Sequence, residues 1–188
     1  MMISHYTLES TISFDENEIN YLVVEDQRQM ARYITDIING IENQNSGFVL
    51  SDENDILDLS KHAEIIIDPF TLEPNSPATV NILLQRMRNN ALGDNQLKTD
   101  EMLSMINSTI GNIVNEQHPS VSFSENLDIM KLFKFLGVRF NHLYDDMLES
   151  ICEYLTIKRD YSSIKLFIFV NLRCFLNLKF SPDIGTLP

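Results

Sequence analysis

Three apolar runs punctuate an otherwise amphipathic chain: "YLVVE" (Tyr21 to Glu25), "EIIID" (Glu64 to Asp68) and "IKLFIFVN" (Ile164 to Asn171). Each is short and bounded by polar residues, which predicts three strands. The last is continuous rather than alternating, so it is expected to be buried on both faces. A fourth short strand is expected at the start of "FVLSDENDILDLSKHAE" (48–64), followed by an acidic turn and a connector whose form the pattern leaves open.

Helical spacing fills the intervals. Met30, Ile34, Ile37, Ile38 and Ile41 recur with a helical period after "YLVVE", and Gly40 offers a stop. Ser76-Pro77 supplies an N-cap followed by proline at the first helical position. Val80, Leu83, Leu84, Met87 and Ala91 then line one face, until "LGDN" breaks the pattern. A second helix is expected from Thr99 to Glu116 with Met102, Ile106, Ile110 and Ile113 on its stripe. A third is capped by Ser124 and ended by Gly137. A fourth begins at Asp145 with Met147, Leu148, Ile151, Tyr154 and Leu155 inward. Strand, helix, strand, several helices, strand: the order predicts an α/β protein with a long helical excursion between its second and third buried strands. There is no internal repeat.

The segment "EIIIDPFTLEPNSPATVNILLQRM" (64–87) stands where many α/β proteins cradle a phosphate, yet its loop has no glycine. Three prolines remove N–H donors and Glu73 repels an anion, so nucleotide hydrolysis there is disfavoured. The four histidines (His5, His62, His118, His142) are scattered and read as surface or capping residues. Cys152 and Cys174 carry no catalytic signature and are too few for a disulfide framework, which suits a reducing cytosol. The methionines (Met87, Met102, Met105, Met130, Met147) sit at core spacing, with filler weighed above a sticky groove. Neither a signal peptide nor an apolar run of about 20 residues is present, so a soluble cytoplasmic protein with no membrane contact is expected.

A net charge of −13 over 188 residues speaks against non-specific adhesion to nucleic acid. Local patches decide binding, however, and several cations pair up. Arg28 and Arg32 lie four apart, and Arg86 and Arg88 sit near one edge of the first long helix. Lys98, Lys131, Lys134, Lys158, Arg159 and Lys165 are further candidates. Their convergence is not readable from spacing.

"YLVVEDQRQMARYITDIING", "EIIIDPFTLEPNSPATVNILLQRM", "MINSTIGNIV", "KLFKFLGVRF" and "SIKLFIFVN" occur in an order that resembles the CRISPR-associated Csn2 family of type II-A systems, over residues 3 to 171. The resemblance implies an α/β head (1–75 and 138–188) with a mainly parallel sheet related to phosphate-loop ATPases without their loop. It also implies a helical leg (76–137). It implies no enzymatic activity. Instead it implies a homotetrameric ring that encircles double-stranded DNA, engages its ends, and serves spacer acquisition alongside the CRISPR integrase and the effector nuclease. Arg28, Arg32, Arg86, Arg88, Lys98 and Lys158 form the pool expected to supply phosphate contacts. Family members hold calcium on acidic residues of the leg. The corresponding stretch here offers Glu116, Glu125 and Asp128, and Glu125 reads equally well as a first-turn residue favoured by the helix dipole. The carboxyl end (172–188) is shorter than the helix and strand with which the family continues. The rival readings are a protein-only adaptor docking the integrase or effector without DNA contact, and a divergent ATPase.

Overall fold

The structure, a computed structural model, describes residues 1–15, 19–53, 55–118, 120–124, 127–141 and 146–175. In chain order the elements are β1 (Met2–His5), β2 (Ile12–Ser13), α1 (Gln27–Ile41), β3 (Phe48–Asp52), β4 (Asp55–Leu57) and α2 (Leu59–His62). They continue with β5 (Ala63–Ile66), α3 (Pro77–Leu92), α4 (Gln96–Asn115), α5 (Ile129–Phe135), α6 (Met147–Tyr161) and β6 (Leu166–Phe169). Two compact units result. One comprises residues 1–72 with 146–159 and 163–175; the other spans 73–141 and takes in 160–162.

The six strands of the described residues belong to the first unit. Strands β2, β1, β3 and β4 form an antiparallel sheet in that order, while β5 and β6 pair in parallel. The mainly parallel sheet expected from the sequence is therefore corrected: among the described residues parallel pairing is confined to two strands. The reason is connection length. The turn between β3 and β4 is too short for anything but a hairpin, whereas β5 and β6 are joined by the long helical excursion that parallel pairing requires. The strand expected at Tyr21–Glu25 does not form; Leu22 and Val23 are 50% and 76% exposed, and of the run only Val24 packs partly against the core. Nor is β6 buried on both faces among the described residues, since only Leu166 is buried.

The core of this unit gathers Ile3, Tyr33, Ile37, Phe48, Leu50, Leu59, Ala63 and Leu166. Gly40 is not the stop of α1, which runs one residue further; a Cβ there would come within 2.7 Å of the Leu59 side chain. Its lack of a side chain serves close packing. Gly47 is tighter still. A Cβ would stand 2.6 Å from both His5 Nε2 and Tyr6 Cε1 and 2.8 Å from Asp36 Oδ2. Gly47→Ala is accordingly expected to cost about 1–3 kcal/mol, the usual penalty for overpacking. Gly111→Ala in α4, where the nearest atom is Phe123 Cζ at an ordinary 3.7 Å, should instead gain about 0.5–1 kcal/mol through helix propensity. Urea titration of the two variants checks the opposite signs.

In the second unit Ser76 caps α3 as the sequence predicts, accepting from the Thr79 N–H, and Thr79, Leu84 and Ala91 are buried. The third predicted helix begins later than expected. Asp128, not Ser124, caps α5 by accepting from the Met130 N–H at 2.9 Å. A carboxylate is the stronger acceptor for an orphan helix donor. Gly137 ends it with φ +67°, the left-handed conformation that glycine adopts without strain. Helix α4 departs most from expectation. Only Thr99 is buried along its 20 residues, while Leu97, Met102, Met105 and Ile113 are 81%, 40%, 72% and 56% exposed. Met102 and Met105 are thus not core filler within one chain.

Candidate nucleic-acid interface

Asp26 begins α1 by accepting the Arg28 N–H at 2.9 Å. Arg28 and Arg32 follow one helical turn apart, both exposed, and neither guanidinium is ion-paired among the described residues. The neighbouring stripe of α1 carries Gln29, Tyr33 and Asp36, at i, i+4 and i+7, against the turn that follows β1. His5 is buried there, contrary to the surface or capping role expected of it. The Thr7 N–H donates to His5 Nδ1 at 3.2 Å, so Nε2 carries the ring hydrogen and donates to Asp36 Oδ2 at 2.9 Å. The same carboxylate oxygen accepts the Gly47 N–H at 2.9 Å. Thr7 Oγ1 has partners on three sides: His5 Nδ1 at 2.7 Å, Tyr33 Oη at 2.9 Å, and Gln29 Nε2, which donates to it at 3.1 Å. The network fixes the turn on α1 and walls a cleft of about 390 Å³, onto which Tyr6, Gln29 and Arg32 open.

The other predicted cations divide. Arg86, Arg88 and Lys98 belong to the second unit and are exposed. Arg86 and Arg88 do not share an edge of α3: two residues apart on a helix, they point to different faces. The Arg86 guanidinium lies 4.6 Å from the centre of the Tyr161 ring, which Phe140 meets edge-on. Lys131 and Lys134 are exposed on α5, whereas Lys165 is engaged by Asp52 at 3.0 Å. Its hydrogen bond and charge hold the Asp52 carboxyl below the ordinary 3.8. Lys158 is turned inward. Its side chain is 13% exposed, its ammonium stands 3.7 Å from Glu64 Oε2, and Tyr154 Oη donates to Glu64 Oε1.

Of the expected metal ligands, Glu116 follows α4, Asp128 is spent on capping α5, and Glu125 lies outside the described residues. Two carboxylates fall short of the roughly 6–8 oxygens calcium takes. Among the described residues no three His, Cys, Asp or Glu side chains gather. Glu116 and Asp128 are not gathered with further ligands among the described residues. His62 Nδ1 meets the Ser163 carbonyl at 3.0 Å and His118 Nδ1 accepts the Ser120 N–H, while His142 lies outside the described residues.

The glycine-free loop is held by its own carboxylates. Asp68 accepts the Phe70 N–H at 2.9 Å and Glu73 the Asn75 N–H at 2.7 Å. Asn75 is further clamped by the backbone of Phe140. Acids thus stand where a phosphate cradle presents free N–H groups. No described helix is long and apolar enough to cross a membrane.

The cleft and the α1 arginines were not equally visible beforehand. The arginines are four apart and share a face by helix geometry alone. The His5–Asp36 contact joins residues 31 positions apart, and no local pattern encodes it. Residues 41–184 match the family model described as "CRISPR-associated protein (Cas_Csn2)". No curated protein matches the chain.

Proposed function

The chain belongs to the Csn2 family of CRISPR-associated proteins, and on that premise we propose that it assembles into a ring around double-stranded DNA and holds DNA ends during acquisition of new spacers. It works there alongside the CRISPR integrase and the effector nuclease. The observation that carries this reading is the couple Arg28 and Arg32, exposed and without an ion pair among the described residues, in a chain of net charge −13. Cations that an acidic protein leaves without carboxylate partners are available to phosphate. The uncovered apolar side chains of α4 support self-association, since a helix of this length rarely leaves its stripe in water. Closed symmetry then repeats one modest basic patch in every subunit, with the acidic surface turned outward.

Backbone contacts need no sequence, so the test is topological. Linear duplex is expected to shift in a low-salt gel while covalently closed circles are not retained. Affinity should fall with salt by a log–log slope of about −0.9 per phosphate neutralised, and Arg28→Glu with Arg32→Glu should both weaken binding and flatten that slope. Equal retention of circles and linear duplex would sink encirclement. Absence of any salt-dependent binding would favour the protein-only adaptor. Solution mass with calcium and with chelator decides whether a calcium site is built between chains.

A further inference from the structure

We propose that the cleft between α1 and the turn after β1 takes an unpaired terminal base of a DNA strand, stacked on Tyr6 with its phosphate beside Arg32. This deepens the DNA-end reading above and rests on it. Tyr6 is 84% exposed, an unusual position for a large aromatic side chain, yet it is not loose. Its ring centre lies 4.2 Å from that of His5 at an interplanar angle of 31°. His5 in turn lies 4.4 Å from Phe48, with Tyr33 edge-on at 5.1 Å. Tyr6 is therefore the outermost ring of a stack rooted in the core, with one face covered and the other side open. Gly47 makes the pose possible, because a Cβ there would collide with both Tyr6 and His5.

The walls fit a nucleotide better than an apolar ligand. The cleft's volume, about 390 Å³, lies in the range of small-ligand sites. Arg32 supplies a cation on α1, and Gln29, whose Nε2 is engaged by Thr7, can offer its amide oxygen to a base edge. Base-on-aromatic stacking tolerates any sequence, as an end-binding protein requires. A base inside a duplex has both faces covered by its neighbours, so only an unpaired or frayed base has a face to offer Tyr6. Asp36 keeps its negative charge while its Oδ2 is engaged by His5 and Gly47, so the phosphate must sit on the Arg32 side of the cleft.

The probe is a duplex with a one-nucleotide unpaired end carrying 2-aminopurine, compared with the same duplex blunt-ended. Binding of the native chain is expected to quench the fluorophore. Tyr6→Phe should keep the quenching, and Tyr6→Ala should abolish it and weaken binding of the overhang substrate roughly 5- to 150-fold. Tyr6→Ala should melt slightly lower, through loss of its stack on His5, and should lose far less affinity for blunt duplex than for the overhang. Quenching that survives Tyr6→Ala, or equal loss on both substrates, overturns the inference while leaving DNA binding standing. If the native chain binds neither substrate, the functional reading falls and the inference with it.

Discussion

Leu50→Ala is expected to destabilise the first unit by about 2–5 kcal/mol, the range for emptying a fully buried leucine site. Leu50 has no exposed surface at all. It sits mid-strand in β3, paired with Ile3 on one side and Leu57 on the other, so backbone ladders on both flanks resist collapse into the void. A small domain's whole stability is only about 5–15 kcal/mol. The variant should therefore unfold at clearly lower urea and temperature. Val49 is the internal control, because the next residue of a strand points to the opposite face. At 41% exposure its truncation removes little buried surface, and Val49→Ala should stay within about 1 kcal/mol of the native chain. Similar midpoints for the two variants would mean that this sheet is not the core of the unit.

The contrast between these two neighbours shows what the sequence makes legible. Alternation and helical period are local, and so α3 with its Ser76-Pro77 start and the Gly137 stop stand where the pattern places them, while α1 and β5 stand there with ends shifted by one or two residues. Tyr21–Glu25 misleads because a short apolar run states only that burial is possible, not that a partner strand exists. Strands β1 and β2 go unannounced because four and two residues are too few to display alternation. Helix α4 has a sound apolar stripe and still leaves it uncovered, since a period reports a face and not what packs on it. The candidate site divides along the same line. Arg28 and Arg32 follow from helix geometry, whereas the stack of Tyr6, His5 and Phe48 depends on β1 and β3 lying side by side.

Lys158→Glu is the second large effect expected, and it separates a structural lysine from a phosphate contact. Glu64 on β5 has one carboxylate oxygen held by Tyr154 Oη; the other is buried without a hydrogen bond, with the Lys158 ammonium 3.7 Å away. Tyr154 and Lys158 are four apart on α6, so one helical face brings both to the acid. Breaking a fully buried pair by removing one partner costs about 3–5 kcal/mol; this pair, 13% and 25% exposed, should lose less but in the same direction. Glutamate adds like-charge repulsion to that loss. Lys158→Met keeps most of the aliphatic stem and should fall between the native chain and Lys158→Glu. Combining it with Glu64→Gln should recover stability, a coupling that a double-mutant cycle reads directly. A surface lysine on DNA would behave otherwise: Lys158→Glu would melt like the native chain and lose only duplex affinity. That outcome would remove Lys158 from the core of the first unit and return it to the DNA-contacting set with Arg28 and Arg32.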